Sequence, residues 1–214
     1  MAITLKDTIL SNIDKYMNDV YTAIPAQVLS YDATLQEVEV QPAINELYMD
    51  GQRAIRGSKS KVPVIFPSAG GGILSFPIQA GDTVLLLYSM RNIDGWLLGD
   101  GGAVDPSTLR KFSENDCVAL VGLTPSSRLL NPNPDDVELK FNDNRITLKA
   151  NGDVEVVTAS KLSVSNSSEE LISLMSELIQ AVSDINVNTI YGISPVNNKP
   201  LFDSLKQRLD TFKV

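Results

Sequence analysis

Histidine is absent from this chain of 214 residues, and cysteine occurs once. Without histidine the chain lacks the side chain that most often acts as a general base or binds a metal near neutral pH. Cys117 has no second cysteine with which to form a disulfide, and it begins the apolar run 117–121. We therefore interpret Cys117 as a small buried hydrophobic residue rather than a reactive thiol.

Basic residues are also scarce, since 18 Lys and Arg stand against 26 Asp and Glu, for a formal net charge of −8. A surface that binds nucleic acid normally has the opposite sign or a local basic stripe with aromatic residues. The densest basic stretch, formed by Arg53, Arg56, Lys59 and Lys61, contains no aromatic residue and is interpreted as a solvated loop. The sequence predicts no nucleic-acid partner, no secretory signal and no membrane span.

A short repeat is present between residues 137 and 164, with units centred near 139, 147, 155 and 163. Each unit holds two apolar residues that alternate with polar ones, as in a strand with one buried face. Turn-forming Asn, Asp, Gly and Ser residues separate the units. The apolar pairs are Val137/Leu139, Ile146/Leu148, Val154/Val156 and Leu162/Val164.

Strands of this length bury too little surface to be stable alone. The repeat therefore predicts that identical chains wind around one axis, with each strand paired to a neighbouring chain and the apolar positions filling a shared core. An ordinary small meander that packs on the preceding domain is the alternative. The Asn and Asp side chains of the turns could also offer oxygen ligands to a hard cation, although turn formation explains them without an ion.

Residues before the repeat predict an N-terminal helix and then a small barrel. Leu5, Ile9, Ile13, Met17 and Val20 share one face of a helix, and Thr4 and Asp7 have the spacing of a capping box. From residue 26 the period changes to two, with strands predicted at 26–30, 35–40, 61–66, 73–76, 83–90 and 116–123. Short antiparallel strands in this number favour an OB-like barrel over a sandwich.

Residues after the repeat predict two helices. Ser167 and Glu170 have capping-box spacing, and an apolar heptad pattern follows them. A second amphipathic helix begins near Pro200, with Leu201, Leu205, Leu209 and Phe212 on one face. The positions predicted to line the shared axis of the repeat and the first of these helices are Leu139, Ile146, Leu148, Val154, Val156, Leu162, Val164, Leu171, Leu178 and Ile185.

Few residues favour catalysis. Glu37 and Glu39 lie on one face of a strand and could form an acid–base pair, but carboxylates on a solvated strand face are commoner. Gly70-Gly71-Gly72 is not followed by the Lys and Ser or Thr of a phosphate loop, so a hairpin tip is the better interpretation. We predict no enzymatic activity, no catalytic or metal-binding residue and no cofactor.

A longer set of motifs carries a family resemblance. The motifs are VPVIFP at 62–67, GGG at 70–72, FPIQAGDTV at 76–84, SMRNIDGW at 89–96 and KFSENDCVALVGLTP at 111–125. Over about residues 25–125 the chain resembles the N-terminal OB domain of the central spike proteins in the baseplates of contractile-tailed bacteriophages. In that family a trimeric β-helix follows the barrel, in agreement with the repeat.

Together, the residue patterns and the resemblance predict a mainly β protein with terminal helices, organised as an N-terminal helix (1–24), an OB-fold barrel (25–128), a linker (129–136), an intertwined trimeric β-helix (137–166) and a helical C-terminal region (167–214). The C-terminal helices follow from the sequence pattern and not from the family. The resemblance implies a virion protein, a homotrimeric spike that caps the tail tube and leads it through the host envelope. Expected partners are tail tube or baseplate hub proteins, with a separate tip protein as an option, and the host outer envelope. A tailocin or another contractile injection system is an alternative, as is a cell-wall hydrolase subunit. The His-x-His iron site at the tip of some relatives and the lysozyme domain of larger ones are not carried over, because the chain has no histidine and no room for that domain.

Overall fold

A computed structural model describes residues 4–18, 20–48, 51–195 and 198–211. The protein is mainly β, with a closed barrel and a few helices, and it divides into two compact units at residues 1–129 and 130–214. The division lies at the start of the segment predicted to be a linker.

The first unit begins with one helix and continues mainly as strands. Its elements are α1 (Leu5–Asn18), β1 (Ala23–Asp32), β2 (Glu37–Pro42), β3 (Glu46–Leu47), β4 (Arg53–Ala54), β5 (Lys59–Ile65), β6 (Ser68–Ala69), β7 (Gly72–Ile73), β8 (Thr83–Tyr88), α2 (Asp94–Leu97), β9 (Cys117–Val121) and a 3-10 turn (Ser126–Arg128).

Five of these strands close a barrel in the order β1-β2-β5-β9-β8, which returns to β1. All neighbours are antiparallel except β5 and β9, which run parallel. This architecture is consistent with the predicted OB-like barrel. Alternate side chains point inward and, with Phe66 just after β5, make a core of mainly small and branched residues: Ala26, Val28, Val38, Val40, Val62, Val64, Val84, Leu86, Cys117 and Ala119.

Several local predictions for this unit are confirmed. Thr4 and Asp7 cap α1 reciprocally, because each side chain accepts a hydrogen bond from the other residue's backbone N–H, at 3.0 and 3.2 Å. Gly70 and Gly71 form the tip of the β6–β7 hairpin, with φ of 57° and 84°. Cys117 is a buried free thiol.

Other details differ from the sequence-based expectation. The turn after β1 lies at residues 33–36 rather than 31–34, because β1 continues to Asp32, whose carboxylate accepts the N–H of Thr34 at 2.8 Å. The strand predicted at 73–76 ends at Ile73. β5 begins at Lys59, inside the stretch predicted to be a loop, and the pairing of β2 with β5 shifts where Lys61 has φ of 57°, a bulge conformation.

The second unit contains a meander followed by a helical hairpin. Its elements are β10 (Val137–Phe141), β11 (Asn144–Leu148), β12 (Val154–Val157), α3 (Leu171–Ser183), β13 (Asn186–Thr189), β14 (Gly192–Pro195) and α4 (Lys199–Asp210). The meander has the order β10-β11-β12, and β13 pairs with β14. Phe212, predicted on the apolar face of α4, lies outside the described residues.

Two boundaries of this unit correct the prediction. Leu162 and Val164 belong to no strand; the backbone C=O of Val164 instead accepts the N–H of Leu171 at 2.9 Å. The helix begins at Leu171 with Glu170 as its N-cap, so the capping box that was predicted from Ser167 is wrong. Glu170 takes that role because its carboxylate accepts the N–H groups of Ile172 and Ser173, at 3.1 and 2.6 Å.

Candidate assembly surface

The register of the meander gathers the repeat's apolar residues on one face. Leu139 lies opposite Ile146, and Ile146 lies opposite Val156. In the next row Leu148 lies between Val137 and Val154. Because side chains at directly paired positions point to the same side of a sheet, these residues form one continuous surface, which we call the meander face: Val137, Leu139, Ile146, Leu148, Val154 and Val156.

The meander face is exposed in the single chain. Its side chains range from 43% exposed for Ile146 to 69% exposed for Val137. Phe141, two residues beyond Leu139 on β10, extends the same face and is 58% exposed. Monomeric proteins rarely leave a contiguous apolar surface of this kind uncovered, so the face has the character of an interface.

The opposite face of the meander is polar and internally paired. The Glu155 carboxylate lies 3.4 Å from the Arg145 guanidinium and 3.5 Å from the Lys149 ammonium. Thr147, in the middle of this face, is buried. Val157 also points to this side, away from Val156, because it follows Val156 in the strand. Ion pairs thus form on the polar face, whereas none of the described residues buries the apolar face.

The hydrogen bonds of the meander run within the chain. β11 pairs with β10 on one side and with β12 on the other, so the expectation that each strand pairs with a neighbouring chain does not describe these strands. The outer sides of β10 and β12 are sheet edges among the described strands. The turns are as predicted, with Asn142 at φ of 52° and Gly152 at φ of 94°.

Like the meander, the helix α3 has one side that is engaged within the chain and another that is apolar and exposed. Its buried residues Ile172, Ser176 and Ser183 lie on one side, where the two serine hydroxyls donate to Asp210 and Asp203 of α4 at 2.8 and 3.0 Å. The predicted heptad positions lie elsewhere on the helix. The apolar heptad positions together with Leu174 form what we call the α3 stripe: Leu171, Leu174, Met175, Leu178, Val182 and Ile185. The first four are 42–64% exposed, and Ile185, which lies beyond the end of the helix, is 49% exposed.

The ten predicted axis positions are therefore not all equivalent. Five share the meander face, and Leu171, Leu178 and Ile185 belong to the α3 stripe. Leu162 is half-buried, and Val164 is 49% exposed beside a surface recess of about 330 Å³ that Leu171 and Leu174 also line. Sequence reasoning missed Phe141, although it continues the alternation of Val137 and Leu139.

The barrel offers little to reactive chemistry. Glu37 and Glu39 alternate with the buried Val38 and Val40 of β2 and so lie on the outer side of the barrel wall. Burial raises the pKa of the Cys117 thiol to about 11, so the thiolate is a minor species at neutral pH. A polar recess of about 400 Å³ beside Cys117 holds a Lys59–Glu114 ion pair with a separation of 3.0 Å.

The basic stretch from Arg53 to Lys61, predicted to be a solvated loop, makes several contacts with other residues of the chain. The Arg56 guanidinium lies 3.0 Å from the Glu46 carboxylate and 5.5 Å from the centre of the Tyr21 ring. The Lys59 ammonium forms an ion pair with the Glu114 carboxylate. Two of the four basic side chains, Arg56 and Lys59, therefore have partners within the chain.

A buried carboxylate that sequence reasoning missed fixes the long loop between β8 and β9. Asp116 is fully buried, and its Oδ1 accepts hydrogen bonds from the Asn92 amide at 2.9 Å and from the Arg110 guanidinium at 3.1 Å. The same guanidinium lies 3.0 Å from the exposed Asp94. The partners are 24 and 6 residues from Asp116, so no local pattern predicts this network.

Within the described ranges, no cluster of three or more His, Cys, Asp or Glu side chains has a geometry that suits a metal ion. None of the described helices combines the length and apolar character that crossing a membrane requires.

Residues 24–122 match the family model described as the phage protein Gp138 N-terminal domain. The matched range covers the barrel and ends just after β9. No curated protein matches the chain. The match supports a phage structural protein family and a virion component, which is the coarser part of the identity expected from the motifs.

Proposed function

We propose, from the premise that the barrel is a phage structural domain, that this chain is the non-enzymatic central spike of a contractile-tail baseplate. Three copies would cap the tail tube and lead it through the host envelope on contraction. The observation that carries the proposal is the meander face, six apolar side chains in register that the chain itself leaves 43–69% exposed.

Three copies suit this surface because each meander is a three-stranded sheet with one apolar side. Three such sheets can enclose a single dry core, with their polar sides and the Glu155 ion pairs facing water. The antiparallel bonds within each sheet would then be intrachain, while the apolar contacts join the chains. Such a prism resists bending, because bending separates packed side chains in all three sheets at once.

The function is mechanical, so the proposal needs no catalytic group. Its partners are two further copies, tail tube or hub proteins and the host envelope, with a separate tip protein as an option. A tailocin or another contractile injection system would use the same mechanics. The presence or absence of a genome-filled head on the particle separates these cases.

Quantitative mass spectrometry of purified tails tests the proposal. The expected result is three copies per tail, counted against a tail tube subunit in the same sample. Absence from the tails, or dozens of copies per tail, would contradict a central spike.

The hydrolase alternative has its own test in the two carboxylates of β2. The double variant Glu37→Gln/Glu39→Gln should leave assembly and infectivity unchanged, because both residues lie on the outer side of the barrel wall. Loss of infectivity with normal assembly would favour a hydrolytic role.

A further inference from the structure

Two side-chain hydrogen bonds tie the chain to the barrel just before the predicted linker, residues 129–136. The Arg128 guanidinium donates to the C=O of Gly81 at 2.8 Å, in the turn that leads into β8. Nearer to β9, the Thr83 hydroxyl donates to the C=O of Leu123. The chain that leaves β9 is therefore held beside the start of β8 as far as Arg128.

The other end of the predicted linker is folded onto the meander. The Asn133 side-chain oxygen accepts the N–H groups of Asp135 and Asp136, at 3.0 and 3.1 Å. The Asp136 carboxylate in turn accepts the N–H of Ala150 at 2.9 Å, in the turn between β11 and β12. By their hydrogen bonds, residues 133–136 belong to the second unit rather than to a free linker.

Residues 130–132, between these two ties, have no comparable support. All three are exposed, with Leu130 at 80%, and no hydrogen bond among the described residues involves any of them. The division between the two compact units falls immediately before this segment, after Leu129. High exposure and few contacts are typical of the parts of a protein that open most easily.

The residue types of this segment also suit a short joint. Asn131 has φ of 47°, a left-handed conformation that asparagine tolerates. Pro132 has no backbone N–H, so it cannot donate to a helix or a sheet. Three residues reach at most about 11 Å, which makes the segment a joint and not a long tether.

We infer that residues 130–132 are a flexible joint, and that Arg128 and Asp136 confine the flexibility to these three residues. Both ties lie within one chain, so the inference goes beyond the proposed spike and holds for any number of copies. In a spike, the joint would let each barrel adapt to its tail partner without disturbing the meander face.

Hydrogen–deuterium exchange of the full-length protein, resolved to single amides by mass spectrometry, tests the joint. The protection factors of the Leu130 and Asn131 amides should be at least about tenfold lower than those of the hydrogen-bonded amides of Asp135, Asp136 and Ala150. Equal protection of the two groups would overturn the inference.

Asp136→Ala tests the tie on the meander side. The protection factor of the Ala150 amide should fall at least about tenfold, because its acceptor is removed. The Gly152 amide is the internal control, since it donates to the C=O of Lys149 at 2.9 Å in the same turn. Asp135→Ala is the matched control variant, because its carboxylate does not accept the Ala150 N–H. An unchanged Ala150 amide in Asp136→Ala would overturn the role of Asp136.

Arg128→Ala tests the tie on the barrel side. The backbone N–H of residue 128 donates to the C=O of Pro125 at 2.8 Å, and it should lose protection once no guanidinium holds this turn to Gly81. Ser127→Ala, in the same turn, is the matched control and should leave that amide protected. Unchanged protection in Arg128→Ala would overturn the confinement on this side.

The mass of the same full-length sample separates the joint from the proposed spike. A trimer in which residues 130 and 131 are protected would overturn the joint and leave the spike intact. A monomer in which they are unprotected would contradict the spike and support the joint.

Discussion

Ile146 and Val156 lie directly opposite each other on β11 and β12, and both side chains remain about half exposed, at 43% and 52%. Paired positions of this kind normally bury each other against a second layer. Among the residues that the structure describes, no second layer covers these two side chains, and most side chains of the α3 stripe are likewise exposed. The two uncovered surfaces follow one another in the same unit, which is why we attribute both to assembly.

The meander face should tolerate no charge. Val156→Asp should prevent trimer formation, because a carboxylate without a partner would enter the shared core in each of three chains, at a cost of at least about 3 kcal/mol per chain. Val157→Asp is the matched control, since Val157 points to the polar side beside Arg145. Analytical ultracentrifugation of both variants checks the prediction. Equal behaviour of the two would contradict the assignment of Val156 to the interface.

The start of α3 should be sensitive to acid. Partial desolvation of Glu170 acts to raise its pKa, but hydrogen bonds from the N–H groups of Ile172 and Ser173 and from the Ser173 hydroxyl outweigh it, so the pKa lies below its ordinary value. A lowered pKa means that the stabilisation is complete above the ordinary glutamate range and is lost as the pH falls through the folded-state value.

The measurement is the thermal midpoint of the wild type and Glu170→Gln between about pH 7 and pH 3. The variant should be less stable near neutral pH, and the difference should shrink as the pH falls. Glu169→Gln is the control, because its side chain makes none of the capping bonds of Glu170. A constant difference across the range would show that the Glu170 charge does not support the cap.

The barrel should depend on Asp116 far more than on Asp94. Both carboxylates contact the Arg110 guanidinium, at 3.1 and 3.0 Å, but Asp116 is buried and Asp94 is 59% exposed. Asp116→Ala removes the buried acceptor that the Asn92 amide and the Arg110 guanidinium share, so both keep only the exposed Asp94 carboxylate, and it should cost at least about 2 kcal/mol. Asp94→Ala should cost less than about 1 kcal/mol. Denaturant unfolding of the two variants gives the comparison, and equal losses would contradict this account of the network.

The C-terminal segment 167–214 should not fold well alone. Among its described residues, Ile172 is the one buried apolar side chain, and the buried Ser176 and Ser183 contribute hydrogen bonds rather than apolar area. We expect the isolated peptide to be largely unfolded or weakly associated, because a short heptad pattern needs the raised local concentration that the meander supplies. Circular dichroism over a range of concentrations checks this. A stable helical fold independent of concentration would mean an autonomous module.

Local sequence patterns predicted much of this fold because they act over a few residues. Strict alternation located the barrel strands that contribute Val38, Val40, Val62 and Val64. Asn142 and Gly152 marked the meander turns by their tolerance of positive φ. The capping pair of Thr4 and Asp7 followed from spacing alone.

The parts that were missed depend on competition or on distant partners. Ser167 has suitable spacing for a cap, but Glu170 lies next to the helix and captures the free N–H groups itself. The Asp116 network joins residues that are up to 24 positions apart. Sequence reasoning also missed the β13–β14 hairpin, because Gly192 and Pro195 are residue types typical of a loop.

The oligomeric mass of the purified full-length protein at micromolar concentration tests the central claim most directly. The account predicts a single species of about three times the chain mass of 23.3 kDa by light scattering. A monodisperse monomer would contradict it, because the meander face and the α3 stripe would then be stable in water without a partner.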